Sequence, residues 1–395
     1  MRYALIVPAG AADEPVAELD DQTPLAAANT PNIDWISVNG RQGTVRTTPQ
    51  DWPPVGHVPA LSLFGYDPQK HSAAAGPLVA AALGITLSAS DLIFCCDLVT
   101  VVNGRMVDHT AGHIGTPEAA RVIDDLNREV APEGVQFQVG SSHRHVMIVE
   151  GGAEWQVECT EAQAIPDEPV ADHLPRGRAA QQIRAVMERA ERLLDNHEVN
   201  EVRRDLGENP ATTIWLSSPG RPVRLPPFAD RFGVGGAVVA ASDLIRGLAA
   251  GIGFDTLDVP EATGGLDTNC RSKGNAAVAA LDDYDLVVVH VQAPDVAGHN
   301  GNAAGKVRAI EQIDEHIVGP VLSRIRAFKQ WKIMVTPGYA TPVARRVHVA
   351  DPPPFCIAGE GVYTVLARPF SEANAACSDL HCDPGHDLIE YLLKR

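Results

Sequence analysis

Asp295 and His299 stand four residues apart in the run YDLVVVHVQAPDVAGH. That spacing places both side chains on one face of a single helical turn. A hard carboxylate oxygen beside a borderline imidazole nitrogen suits Zn²⁺ or Mn²⁺. The pair follows residues 286–291, an almost wholly apolar, β-branched run that reads as a buried parallel strand. In open α/β sheets, ligands bind just beyond the carboxyl ends of such strands. The other reading of an Asp-x-x-x-His pair is a capped turn or a salt bridge.

Three apolar runs, Tyr3–Val7, Leu286–Val291 and Lys332–Val335, predict strands of one sheet. Each leads into a Gly/Pro-bearing turn: PAGAADEP, QAPDVAGHNG and TPGYATP. One strand is first in the chain and two are late, so a sheet using all three implies an inserted middle domain. Val307, Ile310, Ile313, Ile317, Val321 and Ile325 predict a crossover helix over about 304–328. The middle region alternates differently. DLIFCCDLVTVVNGRMVDHT reads as a hairpin turning at Asn103–Gly104. TPEAARVIDDLNREV reads as a helix with Thr116 as N-cap, Pro117 at N1 and Glu118 in the first turn. VQFQVGSSHRHVMIVEG predicts two strands around a turn, and Ile183, Val186, Met187, Ala190, Leu193 and Leu194 mark one helical face. The expected architecture is α/β: a core of residues 1–79 and 259–395 with a mostly parallel central sheet flanked by helices, plus an inserted α+β domain over 80–258.

The chain of 395 residues has 45% hydrophobic and 21% charged residues, values ordinary for a soluble globular protein. A net charge of −18 argues against general nucleic-acid binding, which needs a basic footprint. The opening MRYALIVPAG carries one positive charge and too short an apolar run for a signal peptide. The stretch GVGGAVVAASDLIRGLAAGIGF holds Asp243 and Arg246 near its middle, so it reads as a buried Gly/Ala-rich helix rather than a membrane span. Seven cysteines, Cys95, Cys96, Cys159, Cys270, Cys356, Cys377 and Cys382, form no CxxC pair. Their odd number fits reduced thiols and a cytoplasmic location.

The order of motifs resembles the archaeal-type cofactor-independent phosphoglycerate mutases of the alkaline phosphatase superfamily. The likeness runs nearly end to end, through DQTPLAAANTPNID, PALSLFGYDP, AGHI, NPATTIWL, LPPFADRFGVGGAVVAASDLIRG, ATGGLDTN and APDVAGHNG. It implies a phosphatase-like core, an inserted substrate-binding domain, two divalent metals and a transiently phosphorylated serine that carries the phosphoryl group between 3- and 2-phosphoglycerate. Asp295 and His299 match the family's DEAGH-like motif, and His348 in RRVHVADPPP matches its third ligand. His113, Arg144 and Lys273 resemble groups that grip phosphate and carboxylate, with Arg221 and Arg246 as further candidates. For each of these cations the other reading is a solvated charge or an ordinary ion pair. His143 and His145 flank Arg144.

Other family positions are chemically blank. The metal-binding Asp of a GDG-like turn is Ala9 here, with Asp13 further on. The serine of a PPGSD-like turn is Gly56, followed by His57. The GDHSTP motif reads PGYATP, so Gly338 and Tyr339 replace an Asp and a His. A GRGPLEA-like arginine is Ala75. A neutral phenol is a poor ligand for divalent ions because it must first lose a proton of pKa about 10. One divalent metal, Zn or Mn, is therefore expected at Asp295, His299 and His348, with the second family site absent.

His57 is the candidate that could accept a phosphoryl group in place of the serine, or else hold backbone as a structural residue. Thr47, Thr48, Ser62 and Thr341 are further hydroxyls in this region. Three readings follow. The first is a mutase-like protein without the family mechanism, acting as a metal- and ligand-binding regulatory partner. The second is a single-metal phosphotransferase or phosphohydrolase using His57 or a metal-bound water. The third is intact mutase turnover. The expected partner in each is a small phosphorylated carboxylic acid, with no nucleic acid and no membrane.

Overall fold

The computed structural model describes residues 1–71 and 73–394. Its strands are β1 (Arg2–Pro8), β2 (Arg41–Val45), β3 (Leu92–Val102), β4 (Arg105–Asp108), β5 (Val135–Ser141), β6 (Arg144–Val149), β7 (Thr213–Gly220), β8 (Gly236–Val239), β9 (Asp255–Thr256), β10 (Leu286–Val291), β11 (Trp331–Val335), β12 (Pro354–Gly359) and β13 (His381–Cys382). Two compact units contain them, one of residues 1–72 and 225–395, the other of residues 73–224.

The first unit is built on an eight-stranded sheet in the order β13-β2-β12-β11-β1-β10-β8-β9. Only β12 runs antiparallel to its neighbours. The three strands expected from the sequence lie side by side at its centre, with β1 paired to β10 and to β11. Their core positions are closed: Ile6, Val287, Val289 and Ile333 are buried in one cluster with Ile310, Ile313, Ile317 and Val321 of the crossover. Burial on both faces explains why these strands read as continuous apolar runs. The crossover is not one regular helix. Ala303–Ile313 and Gly319–Ile325 are α-helical, and Asp314–Val318 between them is a π-turn. Asp314 there accepts from the backbone N–H groups of Asn32 and Ile33, capping the helix Pro31–Val38.

Register positions the site. Val7 pairs with His290 and Pro8 with Val291, while Ile6 pairs with Val335. The carboxyl ends of β1, β10 and β11 therefore align, and their turns leave the sheet together. Bridges from Ala340 to Ala11, Ala12 and Val349 stitch those turns to one another.

The second unit carries an antiparallel sheet, β4-β3-β6-β5, with β7 on the other edge of β3. The β3–β4 turn falls at Asn103 and Gly104, both at positive φ, as a two-residue hairpin requires. The helix Thr116–Glu129 starts one residue earlier than expected. Gly115 is its N-cap, the Glu118 carboxylate accepts from the Gly115 N–H, and the Thr116 hydroxyl instead accepts from Ser142 N–H. Leu126, Ile183, Met187 and Leu194 pack with Phe94 and Trp215 in this unit's own core.

The insert ends earlier than residue 258. GAVV, expected within a Gly/Ala-rich helix, is strand β8, and it pairs in parallel with β10. The helix begins only at Asp243 and ends at Gly251. Segment 225–258 thus belongs to the first unit. The stretch was ambiguous because a four-residue buried strand of small and β-branched residues has no periodicity of its own. Among the described residues all seven cysteines are free, and no helix is long and apolar enough to cross a membrane.

Candidate metal centre

Asp295 lies in the first turn of the helix Ala293–His299 that follows β10, and His299 closes it. Pro294 at its second position favours the turn, because its fixed φ suits a first helical turn and its missing N–H would go unused there. His348 arrives from the segment after β11. Its Nε2 lies 3.1 Å from Asp295 Oδ1 and 3.2 Å from His299 Nε2, and the third edge, His299 Nε2 to Asp295 Oδ1, is 3.6 Å. The three side chains are nearly closed off from solvent.

The hydrogen bonds around the rings fix their chemistry. His299 Nδ1 lies 2.8 Å from Arg346 O and His348 Nδ1 lies 3.0 Å from Pro54 O. A carbonyl only accepts, so each Nδ1 carries a proton, and in its neutral form each ring turns an Nε2 lone pair inward. Two lone pairs and a carboxylate thus converge at about 3 Å. Acceptors gather in this way only around a proton or a cation. Donors about 2.0–2.2 Å from a tetrahedral ion stand roughly 3.3–3.6 Å apart, close to the observed edges. The donor set therefore fits a divalent metal, with carbonyls orienting both imidazoles from behind.

Charge agrees with that fit. Burial opposes ionisation of Asp295, but the His299 and His348 imidazoles and the Thr341 hydroxyl outweigh it and hold the carboxyl well below the usual carboxylate range. Burial holds the His299 imidazole below its ordinary pKa, against the pull of Asp295. An ionised carboxylate beside neutral histidine is the form that binds metal.

The neighbouring turns complete the wall. Thr341 donates its hydroxyl to Asp295 Oδ1 at 2.5 Å. Tyr339 lays its ring on His348, with centroids 4.5 Å apart and planes at 51°. Burial and the Asp295 charge hold that phenol well above its ordinary pKa. Gly10, at φ +67°, passes so close that a Cβ there would lie 2.7 Å from Asp295 Oδ1. Asp13 is not at the metal centre. It pairs with Lys306 Nζ at 2.7 Å, both side chains wholly buried, and accepts from Glu14 and Val343 N–H. Lys306 also donates to Ala12 O and Thr341 O.

The segment expected to carry a nucleophile lies beside the centre, because Pro54 supplies the carbonyl that holds His348. Gly56 precedes the helix His57–Leu63, of which partly buried His57 is the first residue. A Cβ at Gly56 would meet only Leu244 Cδ2, at 3.5 Å, so a side chain has room. Ala9 is wholly buried at the end of β1. Gly338 has φ +76° and its carbonyl accepts from Thr47. Ser62 donates to Thr47 O at 2.5 Å, so Thr47 and Ser62 both serve the backbone.

The expected anion-binding residues divide between the units. Lys273, in the helix Cys270–Asp283 of the first unit, is wholly buried and donates to Thr263 O at 3.2 Å. Burial brings its ammonium down to about 8, partly opposed by Cys270. Arg246 pairs with Asp258. In the second unit the Arg144 fork is engaged with Asp97 at 2.8 and 3.0 Å and reaches Gln163. His113 is exposed on a turn at φ +53°. Arg221 donates to Ala153 O and lines a cavity of about 620 Å³ with Trp155, Arg178 and Glu158. Ala75 opens the helix Ala75–Ala82.

Sequence reasoning missed the Asp13–Lys306 pair and the contact of Tyr339 with His348. One signal for the first was present: Lys306 shares a helix face with Ala303, Ile310 and Ile313, and a lysine in an apolar stripe needs a buried partner.

A sequence model of 2,3-bisphosphoglycerate-independent phosphoglycerate mutase matches residues 38–200. The chain is 40% identical over 394 residues to 2,3-bisphosphoglycerate-independent phosphoglycerate mutase 2 of Methanothermobacter thermautotrophicus, covering 100% of this chain and 97% of that one. It belongs to the 2,3-bisphosphoglycerate-independent phosphoglycerate mutase family. The mutase of Methanothrix thermoacetophila is 39% identical over the full length of both chains. Among solved structures, a Pyrococcus horikoshii protein superposes with a TM-score of 0.79 at 29% identity, covering 99% of this chain and 96% of that one. The cofactor-independent phosphoglycerate mutase of Thermoplasma acidophilum gives 0.59 at 26%, covering 100% and 99%. The mutase family and its α/β fold, expected from the motifs, are thus established.

Proposed function

We propose that this family member binds one divalent metal at Asp295, His299 and His348, together with a small phosphorylated carboxylic acid, and does not run phosphoserine-based mutase turnover. One observation carries the reading. Tyr339, where the family motif has a metal-binding histidine, lays its ring on His348. The side chain of a would-be second site thus packs against a residue of the first.

The other positions agree. Gly56 has no hydroxyl to hold a phosphoryl group, and Ala9 and Gly338 offer no ligand atom. A metal bound at the three donors would polarise a phosphoryl or carboxylate oxygen. The chain's own residues do the rest. Arg346 O and Pro54 O keep both Nε2 atoms aimed inward, and Thr341 orients Asp295. Lys273 supplies a buried cation in the same unit. Two-metal phosphotransfer stabilises both the entering and the leaving oxygen, and each such contribution is worth several kcal/mol. Loss of one metal and of the nucleophile therefore removes orders of magnitude in rate.

The test is incubation of metal-loaded protein, Mn²⁺ or Zn²⁺, with 3-phosphoglycerate. Little or no 2-phosphoglycerate is expected, while the acid still binds. A second reading, turnover through His57, is favoured by the position of that residue in the loop whose Pro54 carbonyl orients His348. Turnover that vanishes in His57→Ala would establish it instead.

A further inference from the structure

We propose that the second unit holds a binding site for a nucleoside phosphate with an amino-bearing base, adenosine monophosphate being the simplest case, in the cavity around Trp155. The cavity measures about 620 Å³, and its lining residues all lie within residues 73–224. That volume is in the range of small-molecule sites. The lining includes no donor of the metal centre and neither His113 nor Arg144. The inference therefore stands apart from the reading of Asp295, His299 and His348 as a metal site.

Backbone contacts hold the walls in place. Between β6 and the helix Ala180–Leu194 the chain folds back on itself. Glu158 N–H donates to Arg176 O and Arg176 N–H to Glu158 O, each at 2.9 Å, and Ala179 N–H reaches Gln156 O at 3.2 Å. Gly177 permits this approach: its φ is +105°, and a Cβ there would lie 2.5 Å from Gln156 O. Ala153 N–H donates to Ser90 O at 2.8 Å, which ties the segment to the chain just before β3. Gly220, at the end of β7, pairs with Ile93 of β3. A pocket with fixed walls has little freedom left to lose when a ligand enters.

The lining side chains set the chemistry of the occupant. Trp155 is half-buried and offers an aromatic face, on which a base of any sequence identity can stack. Arg178 is exposed and, among the described residues, pairs with no carboxylate. Arg221 donates to Ala153 O and pairs with no carboxylate either, although Glu154 and Glu158 line the same cavity. Two guanidiniums without counter-charges suit a phosphate, which they can grip through paired N–H groups. With a net charge of −18 the chain at large repels anions, so a phosphate needs such a local pair. Glu154 and Glu158, when ionised, only accept hydrogen bonds, which favours a base that carries an amino group.

The experiment titrates the full-length protein by calorimetry with adenosine monophosphate and, separately, with adenosine, ribose 5-phosphate and inosine monophosphate, which lack the phosphate, the base and the amino group in turn. The expected result is one adenosine monophosphate per chain, with each of the other three binding at least about tenfold more weakly. Arg178→Gln and Trp155→Leu each weaken adenosine monophosphate at least about tenfold, and Asp295→Ala leaves it unchanged. Trp155→Phe keeps a ring and retains most of the affinity, which separates stacking from a folding defect. The exposed Arg178 position tests the site without touching the core. No binding of adenosine monophosphate, equal binding of ribose 5-phosphate or inosine monophosphate, or unchanged affinity in Arg178→Gln or Trp155→Leu overturns the inference. So does binding that disappears in Asp295→Ala, which would place the nucleotide at the metal centre instead.

Discussion

Replacing Gly10 by alanine separates the metal-site account from ordinary turn chemistry. A Cβ at Gly10 would lie 2.6 Å from Thr341 Oγ1, 2.7 Å from Asp295 Oδ1 and 2.9 Å from Asp295 Cα. A rotamer change moves the first two atoms but not the third, so the turn must shift. The residue also sits at φ +67°, where an L side chain costs about 1–2 kcal/mol. Displacing Thr341 breaks its 2.5 Å bond to a buried carboxylate, worth about 1.5–3 kcal/mol. Together these give about 2.5–5 kcal/mol, or a melting loss of roughly 5–20 °C for a unit of this size. Gly361 is the control. It lies in the same unit at φ +71° with nothing within 4 Å of a new Cβ. Gly361→Ala therefore bears only the backbone cost, partly offset by a stiffer unfolded chain. The assay is thermal unfolding of both variants with zinc titration calorimetry. Gly10→Ala is expected to lose zinc affinity by about 10- to 100-fold, because it disturbs the group orienting Asp295, while Gly361→Ala keeps it. Equal stability losses in the two variants, with unchanged zinc affinity in Gly10→Ala, would refute the reasoning.

Other expectations concern the surroundings. Lys306→Met leaves Asp13 charged, buried and unpaired, so chemical unfolding should show a loss of about 3–5 kcal/mol, much of it recovered when Asp13→Asn is added. Gly56→Ser should fold with little change in melting temperature, because the space is open, yet intact mass should show no phosphoserine with 3-phosphoglycerate, since Ala9 and Gly338 still carry no ligand atom. His145 is wholly buried, its Nδ1 accepts from Gly140 N–H, and burial brings its pKa down to about 3. Between about pH 6.5 and that value the unfolded chain binds the extra proton, so stability falls as pH falls, by about 1.4 kcal/mol per unit. Urea unfolding at about pH 7.5 and about pH 5.5 should show this slope reduced by nearly one proton in His145→Asn, which keeps an acceptor near the Nδ1 position.

The central sheet was legible because strands buried on both faces have no choice but to be apolar, and because each ended in a Gly/Pro turn. Asp295 and His299 were legible because helical spacing is short-range. His348 was reachable only through family likeness, since 49 residues separate it from His299. The boundary at residue 225 was hidden because β8 is four residues of small and β-branched side chains, and its pairing with β10 is long-range. The π-turn in the crossover left the apolar periodicity almost intact, so nothing local marked it. The Asp13–Lys306 pair joins residues 293 apart, and only the misplaced polarity of Lys306 hinted at it. The blank positions were visible as letters, but their consequence was not. Only the geometry shows that Tyr339 stands against His348.

The most direct test of the central claim is native mass spectrometry of zinc-saturated protein exposed to 3-phosphoglycerate, which reads metal count and covalent phosphate in one spectrum. The account predicts one zinc per chain, absent in Asp295→Ala, and no added phosphoryl mass. Two tightly held zinc ions, or a covalent phosphoenzyme on any side chain while 2-phosphoglycerate accumulates, would contradict it.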